Sequence, residues 1–109
     1  MNLTGRPIHQ KPAKLSPAEV KAGKLHMARV ARLPCVITGL RPVQVHHCIC
    51  GRYSGKKAND FQVIPLHISQ HLVGPLAIHN DKAGWIERNG NDYEYLPVVA
   101  DMLAGEWSD

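Results

Sequence analysis

Seven histidines occur in this 109-residue chain, and their spacing is the first feature of it that could do chemistry. His46 and His47 are adjacent, His67 and His71 stand four apart, and His79 follows beyond Gly74-Pro75. A neutral imidazole binds a divalent ion through its bare nitrogen, and a ring titrating at about 6.5 can also move a proton near neutrality. A His-His pair at a strand end can therefore divide the work, one ring on a metal and the other on a proton. On a solvated loop the same pair would do neither, and the dipeptide alone favours that plainer reading; the residues downstream change the balance. His67 and His71 share a face of an unbroken helix. His71 and His79 would do so at eight residues' spacing, but Pro75 interrupts the geometry, so a turn must deliver His79. His67 and His79 thus compete as partners of His71. Carboxylates are scarce nearby. Asp60 is the one acid close in sequence, so a two-metal carboxylate centre is not expected; it could add a ligand, orient a histidine or, as its setting favours, shape a hairpin turn.

The elements that must position these rings are legible from patterning. Val43 and Val45 alternate with polar neighbours and predict a short strand with both valines on its buried face. Neighbouring side chains on a strand point to opposite faces, so His46 and His47 share a site only where the strand ends or bends. Gly51 to Asn59 is a loop rich in Gly, Ser and Lys. In it Arg52, Lys56 and Lys57 are candidates for phosphate contact, Arg52 first because its fork matches phosphate oxygens. An ordinary exposed arginine is the plain alternative. Asp60 to Leu66 predicts a second, antiparallel strand, and Leu66 to Val73 a short helix. Together they make a ββα unit at about residues 42–79, within an α+β fold.

Flanking helices should support that unit. Ser16-Pro17-Ala18-Glu19 is a capping box with proline at the first helical position, and the helix must end before Pro34. Val20, Met27, Val30 and Ala31 form its apolar side, and Lys21, Lys24, Arg29 and Arg32 fall largely outside it. Residues 1–15 read as a flexible basic arm, and residues 16–109 as one domain. Asn80 or Asp81 can cap a helix through Arg88, stopped by Gly90. Trp85 in that helix is read as core, with stacking on a base as the sharper alternative. Pro97 opens a last helix, which Gly105 ends. His9 and His26 lie outside the unit and read as surface residues. Cys35-x-x-Thr38-Gly39 has the outline of a zinc knuckle without its second ligand, and Cys35 is read as packing.

Thirteen Lys+Arg against nine Asp+Glu leave a formal charge of +4, which favours a polyanionic partner without proving one. Three cysteines are an odd count. Cys48 and Cys50 are too close for an easy mutual bridge, which points to a reducing, intracellular setting. No apolar run reaches the length of a membrane span and no signal-peptide core opens the chain, so the expectation is a soluble cytoplasmic protein.

The order Pro34-Cys-Val-Ile-Thr-Gly39, Val43-Gln-Val-His-His-Cys-Ile-Cys-Gly-Arg52, Asp60-Phe-Gln-Val-Ile-Pro-Leu-His67 with His71, Gly74-Pro-Leu-Ala-Ile-His-Asn80 and then a Trp-containing helix resembles the HNH (ββα-metal) endonucleases. More narrowly it resembles the small phage Ref-like (recombination enhancement function) nucleases, over about residues 24–106. The resemblance implies a ββα-metal core, also called a His-Me finger, in a phage- or prophage-encoded protein of a bacterial host cell. It implies DNA, single-stranded or duplex, as substrate, and suggests dependence on a RecA-type recombinase filament. It makes His46, His71 and His79 the ligands of one divalent ion (Zn, Mg, Mn or Ni), with His67 and Asp60 as less favoured ligands. It makes His47 the general base, with Gln62 near the position of the family's middle asparagine and able to orient it. Thr38, His67 and Gln70 stand where relatives can carry structural zinc cysteines, so no second zinc is expected.

That implied chemistry suits the residues. Phosphodiester hydrolysis needs an activated water, neutralised phosphoryl oxygens and help for the leaving oxygen. One imidazole-held ion can do the last two, and a neutral histidine the first. The rival from another class is a metal-stabilised nucleic-acid-binding module that does not cleave, and a weaker third reading is a structural zinc protein bridging others.

Overall fold

A computed structural model describes residues 15–51 and 59–105 of the chain. Residues 1–14 of the basic arm, His9 among them, and Arg52, Lys56 and Lys57 lie outside those residues. The described residues form a small α+β structure with one two-stranded antiparallel sheet and four α-helices. Among them no helix is long and apolar enough to cross a membrane.

Helix α1 (Pro17–Val30) begins at the expected capping box, with Ser16 Oγ accepting from the Glu19 amide at 3.1 Å and the Glu19 carboxylate accepting from the Ser16 amide at 2.8 Å. Its buried residues are Gly23 and Val30, with Met27 packed alongside; Val20 and Ala31 are exposed, so the apolar side is narrower than the sequence suggests.

Strand β1 (Gln44–His47) pairs antiparallel with β2 (Val63–Leu66), His46 opposite Ile64 and His47 opposite Val63. The residue that β1 buries is His46, whereas Val43 and Val45 are only half-buried. This reverses the expected face: alternation continues inward through Cys48 and Cys50, both buried, so the imidazole shares the inner side with the two thiols. All four residues of β2 are buried. Val63, Ile64 and Leu66 form the core with Val30, Leu33, Ile78, Trp85, Val99 and Leu103. Pro65 has no amide hydrogen to donate, but on the free edge of this ribbon its carbonyl still accepts from the Val36 amide at 3.1 Å.

Helix α2 (Ile68–His71) is a single turn, α3 (Lys82–Asn89) is capped by Asp81, and a 3-10 turn (Asp92–Tyr95) leads directly into α4 (Leu96–Ala104). Gly90 ends α3 with φ at +86°, a left-handed conformation open to glycine. Trp85 is fully buried, its Nε1–H donating to Gln70 Oε1 at 3.0 Å, which ties α3 to α2. That burial excludes Trp85 from stacking on a base.

Candidate metal centre

His46, His71 and His79 come together although they arise from a strand, a helix end and a turn. Each offers a ring nitrogen, and the three atoms lie within 4.8 Å of one another. The ring centroids are 5.1 Å apart for His46 and His71, 5.2 Å for His46 and His79, and 4.8 Å for His71 and His79. The turn that Pro75 requires is held by backbone and side chain together. The Ile78 amide donates to the Gln70 carbonyl at 2.8 Å, and the His79 amide to the His71 carbonyl at 3.3 Å. Asn80 Nδ2 donates to the Leu72 and Gly74 carbonyls at 3.1 and 2.8 Å.

The protonation of two rings follows from their partners. Nε2 of His46 lies 2.8 Å from Asp92 Oδ2 in a pair wholly shielded from solvent. A carboxylate can only accept, so that nitrogen carries the hydrogen and Nδ1 keeps its lone pair. Among the described residues His46 Nδ1 is the one buried side-chain polar atom without a hydrogen-bond partner. A buried bare nitrogen facing two other imidazoles fits a divalent cation, which would satisfy it. His71 donates from Nδ1 to Gln44 Oε1 at 2.7 Å, leaving its Nε2 bare. Burial, with His46 and His79 nearby, lowers the His71 pKa to about 4, so the ring is neutral at pH 7, the form that binds metal.

Asp92 is the residue that sequence reasoning missed. Besides His46 it accepts from the Ile49 amide at 2.7 Å and the Cys50 amide at 3.2 Å. Burial acts to raise its pKa, but hydrogen bonds from His46, the Ile49 amide and the Cys50 side chain outweigh it and hold the carboxyl below the usual range. An acid in a C-terminal turn gives no local sign that it will meet a strand 46 residues earlier.

His47 points to a different partner. Its Nε2 lies 2.9 Å from Asp60 Oδ1, in a half-buried pair. Asp60 is therefore more than a turn residue, and it takes the orienting place given to Gln62. The exposed Gln62 side chain instead accepts from the Asn59 amide at 3.2 Å, closing the turn ahead of β2. Gly23 of α1 packs against Asp60. A Cβ at that position would sit 2.9 Å from Asp60 Cβ and 3.0 Å from its Oδ2.

His67 stands apart from the triad as the cap of α2, its Nδ1 accepting from the Ser69 amide at 3.2 Å. Of the two competing partners of His71, the structure brings His79 and not His67 to it. Cys35 is buried, and its sulfur accepts from the Ile37 and Thr38 amides at 3.4 Å each, a knuckle-like turn with no second thiol. Gln70 is occupied by Trp85. His26, expected at the surface, is half-buried beside Phe61.

A family model described as protein of unknown function, DUF968, matches residues 17–104. The chain belongs to this family. The matched span contains the whole triad together with His47, Asp60 and Asp92. No curated protein and no solved structure matches the chain.

Proposed function

We propose that the chain is a metal-dependent endonuclease of the HNH, ββα-metal type that hydrolyses DNA phosphodiester bonds. The observation that carries this reading is the convergence of His46, His71 and His79 around a buried bare nitrogen, with His47 one residue away on a separate carboxylate. In this reading β1, β2 and α2 are the ββα core. When bound, one divalent ion would neutralise charge on the phosphoryl and leaving oxygens. His46 and His71 present bare nitrogens to it, each fixed in one tautomer by a partner behind the ring.

His47 donates its Nε2–H to Asp60, which leaves Nδ1 with a lone pair to take the proton of the attacking water. The Asp60 carboxylate then faces the imidazolium that forms and stabilises it. The positive balance of the chain favours approach of a polyanion. A RecA-type filament as co-factor of the reaction belongs to this proposal by resemblance and is tested with it.

Nicking of supercoiled plasmid and cutting of single-stranded DNA, across Mg, Mn, Ni and Zn with EDTA and His47→Ala controls, test the reading. Metal-dependent cleavage abolished by His47→Ala is expected. If silence persists when a RecA filament is added, while DNA is still bound, the chain is a binding module and not a nuclease.

A further inference from the structure

A cleft of about 380 Å³ lies between α1 and α4, away from the triad; its lining includes His26, Arg29, Phe61, Val63, Val99 and Leu103. Its size falls in the range of small-ligand sites. Phe61, the one phenylalanine of the chain, is half-exposed at this cleft, with its ring centroid 5.1 Å from that of His26. Burial and the neighbouring Arg29 lower the His26 pKa, so this ring is neutral at pH 7 and offers a π-face. Arg29 meets no carboxylate among the described residues. Its hydrogen bond to the Leu103 carbonyl is long, at 3.5 Å.

We propose that this cleft takes one unpaired nucleobase of a single-stranded nucleic acid, stacked on Phe61 and His26, with Arg29 on its polar edge or adjoining phosphate. A purely apolar occupant, such as a partner protein's leucine, would cover the exposed Arg29 guanidinium and leave it only the long contact to the Leu103 carbonyl, which is costly. A nucleotide supplies both the flat apolar face and the acceptors. The position is apt. Phe61 follows directly on Asp60, the partner of His47, and Val63 on the cleft floor is the sheet partner of His47. A base held here would therefore lie beside a phosphate served by His47, an adjacency that rests on the nuclease reading, whereas the affinity of the cleft does not.

The test is a titration of the full chain with deoxyadenosine monophosphate, followed by amide and aromatic NMR shifts. It is paired with quenching of 2-aminopurine in single-stranded oligonucleotides. Shifts concentrated at His26, Arg29, Phe61 and Val63 are expected. Phe61→Leu should weaken oligonucleotide binding roughly five- to hundredfold and remove most of the quenching, as loss of one stacked base does. Phe61→Trp should retain both, and since residue 61 is half-exposed both variants should fold, which unchanged melting checks. Arg29→Met should weaken the nucleotide while leaving the free base less affected. Shifts elsewhere, no shifts at millimolar nucleotide, or a Phe61→Leu variant that binds and quenches like the parent would overturn the proposal. Plasmid nicking together with an unchanged Phe61→Leu variant defeats the cleft alone. Nucleotide binding in the cleft, with no cleavage even after a RecA filament is added, defeats the nuclease alone.

Discussion

The Asp92 carboxylate lies 2.8 Å from Nε2 of His46, across 46 residues of sequence, and neither side chain reaches solvent. This pair fixes which nitrogen of His46 can bind anything. Asp92→Asn should lower divalent-ion affinity about 10- to 100-fold, the usual scale for losing the carboxylate behind a ligating histidine. Competition against a chelating dye measures it. An affinity unchanged in Asp92→Asn would show that His46 does not ligate through Nδ1.

The placement of His67 and His79 separates two substitutions that look equivalent in sequence. His79→Ala should remove most of the ion affinity, and His67→Ala should leave it intact. His67→Ala should cost about 1 kcal/mol of stability through loss of the α2 cap. Metal titration and thermal melting, run side by side on both variants, read the two effects. Equal losses of affinity would defeat the triad assignment.

Gly23 and Asp60 are packed so closely that α1 helps to set the direction of His47. Alanine in a helix interior normally gains about 1 kcal/mol over glycine. At position 23 the added methyl would instead push Asp60 aside. Gly23→Ala should therefore fail to raise Tm and should shift the His47 ring resonances in metal-free protein, as Asp60→Asn does. Gln62→Ala should leave those resonances in place. If nicking is observed, Gly23→Ala and Asp60→Asn should lower its turnover with little change in ion affinity.

Acid should destabilise the metal-free protein through His71. Its folded pKa of about 4 lies below the ordinary value of 6.5, so between these pH values the unfolded chain binds the extra proton. The contribution to stability is full above pH 6.5 and is lost as pH falls through 4. Asp92, also held below its usual pKa, adds a further loss at the acid end of the range. Denaturant melts from pH 7 to 4 should show this decline, and His71→Ala should flatten the part between 6.5 and 4. A parent profile flat across that window would contradict the buried, neutral state of His71.

Local rules written in consecutive residues determined much of this protein. The capping box at Ser16–Glu19, a cap at Asn80 or Asp81, the Gly90 stop and the break at Pro75 each act over a few residues, so each is visible in the chain itself. The hairpin and the short helix at His71 follow from alternation and length in the same way. Tertiary structure decided the rest. Asp92 reaches His46, and Gly23 approaches Asp60, through packing of distant elements on β2, and no local pattern encodes such a meeting. His46 lies inward, against the expected face, where Asp92 accepts from its Nε2 and two backbone amides in turn hold Asp92, while Nδ1 keeps its lone pair. A buried carboxylate such as Asp92 is tolerated only with such partners, and partners far apart in sequence are found only by folding.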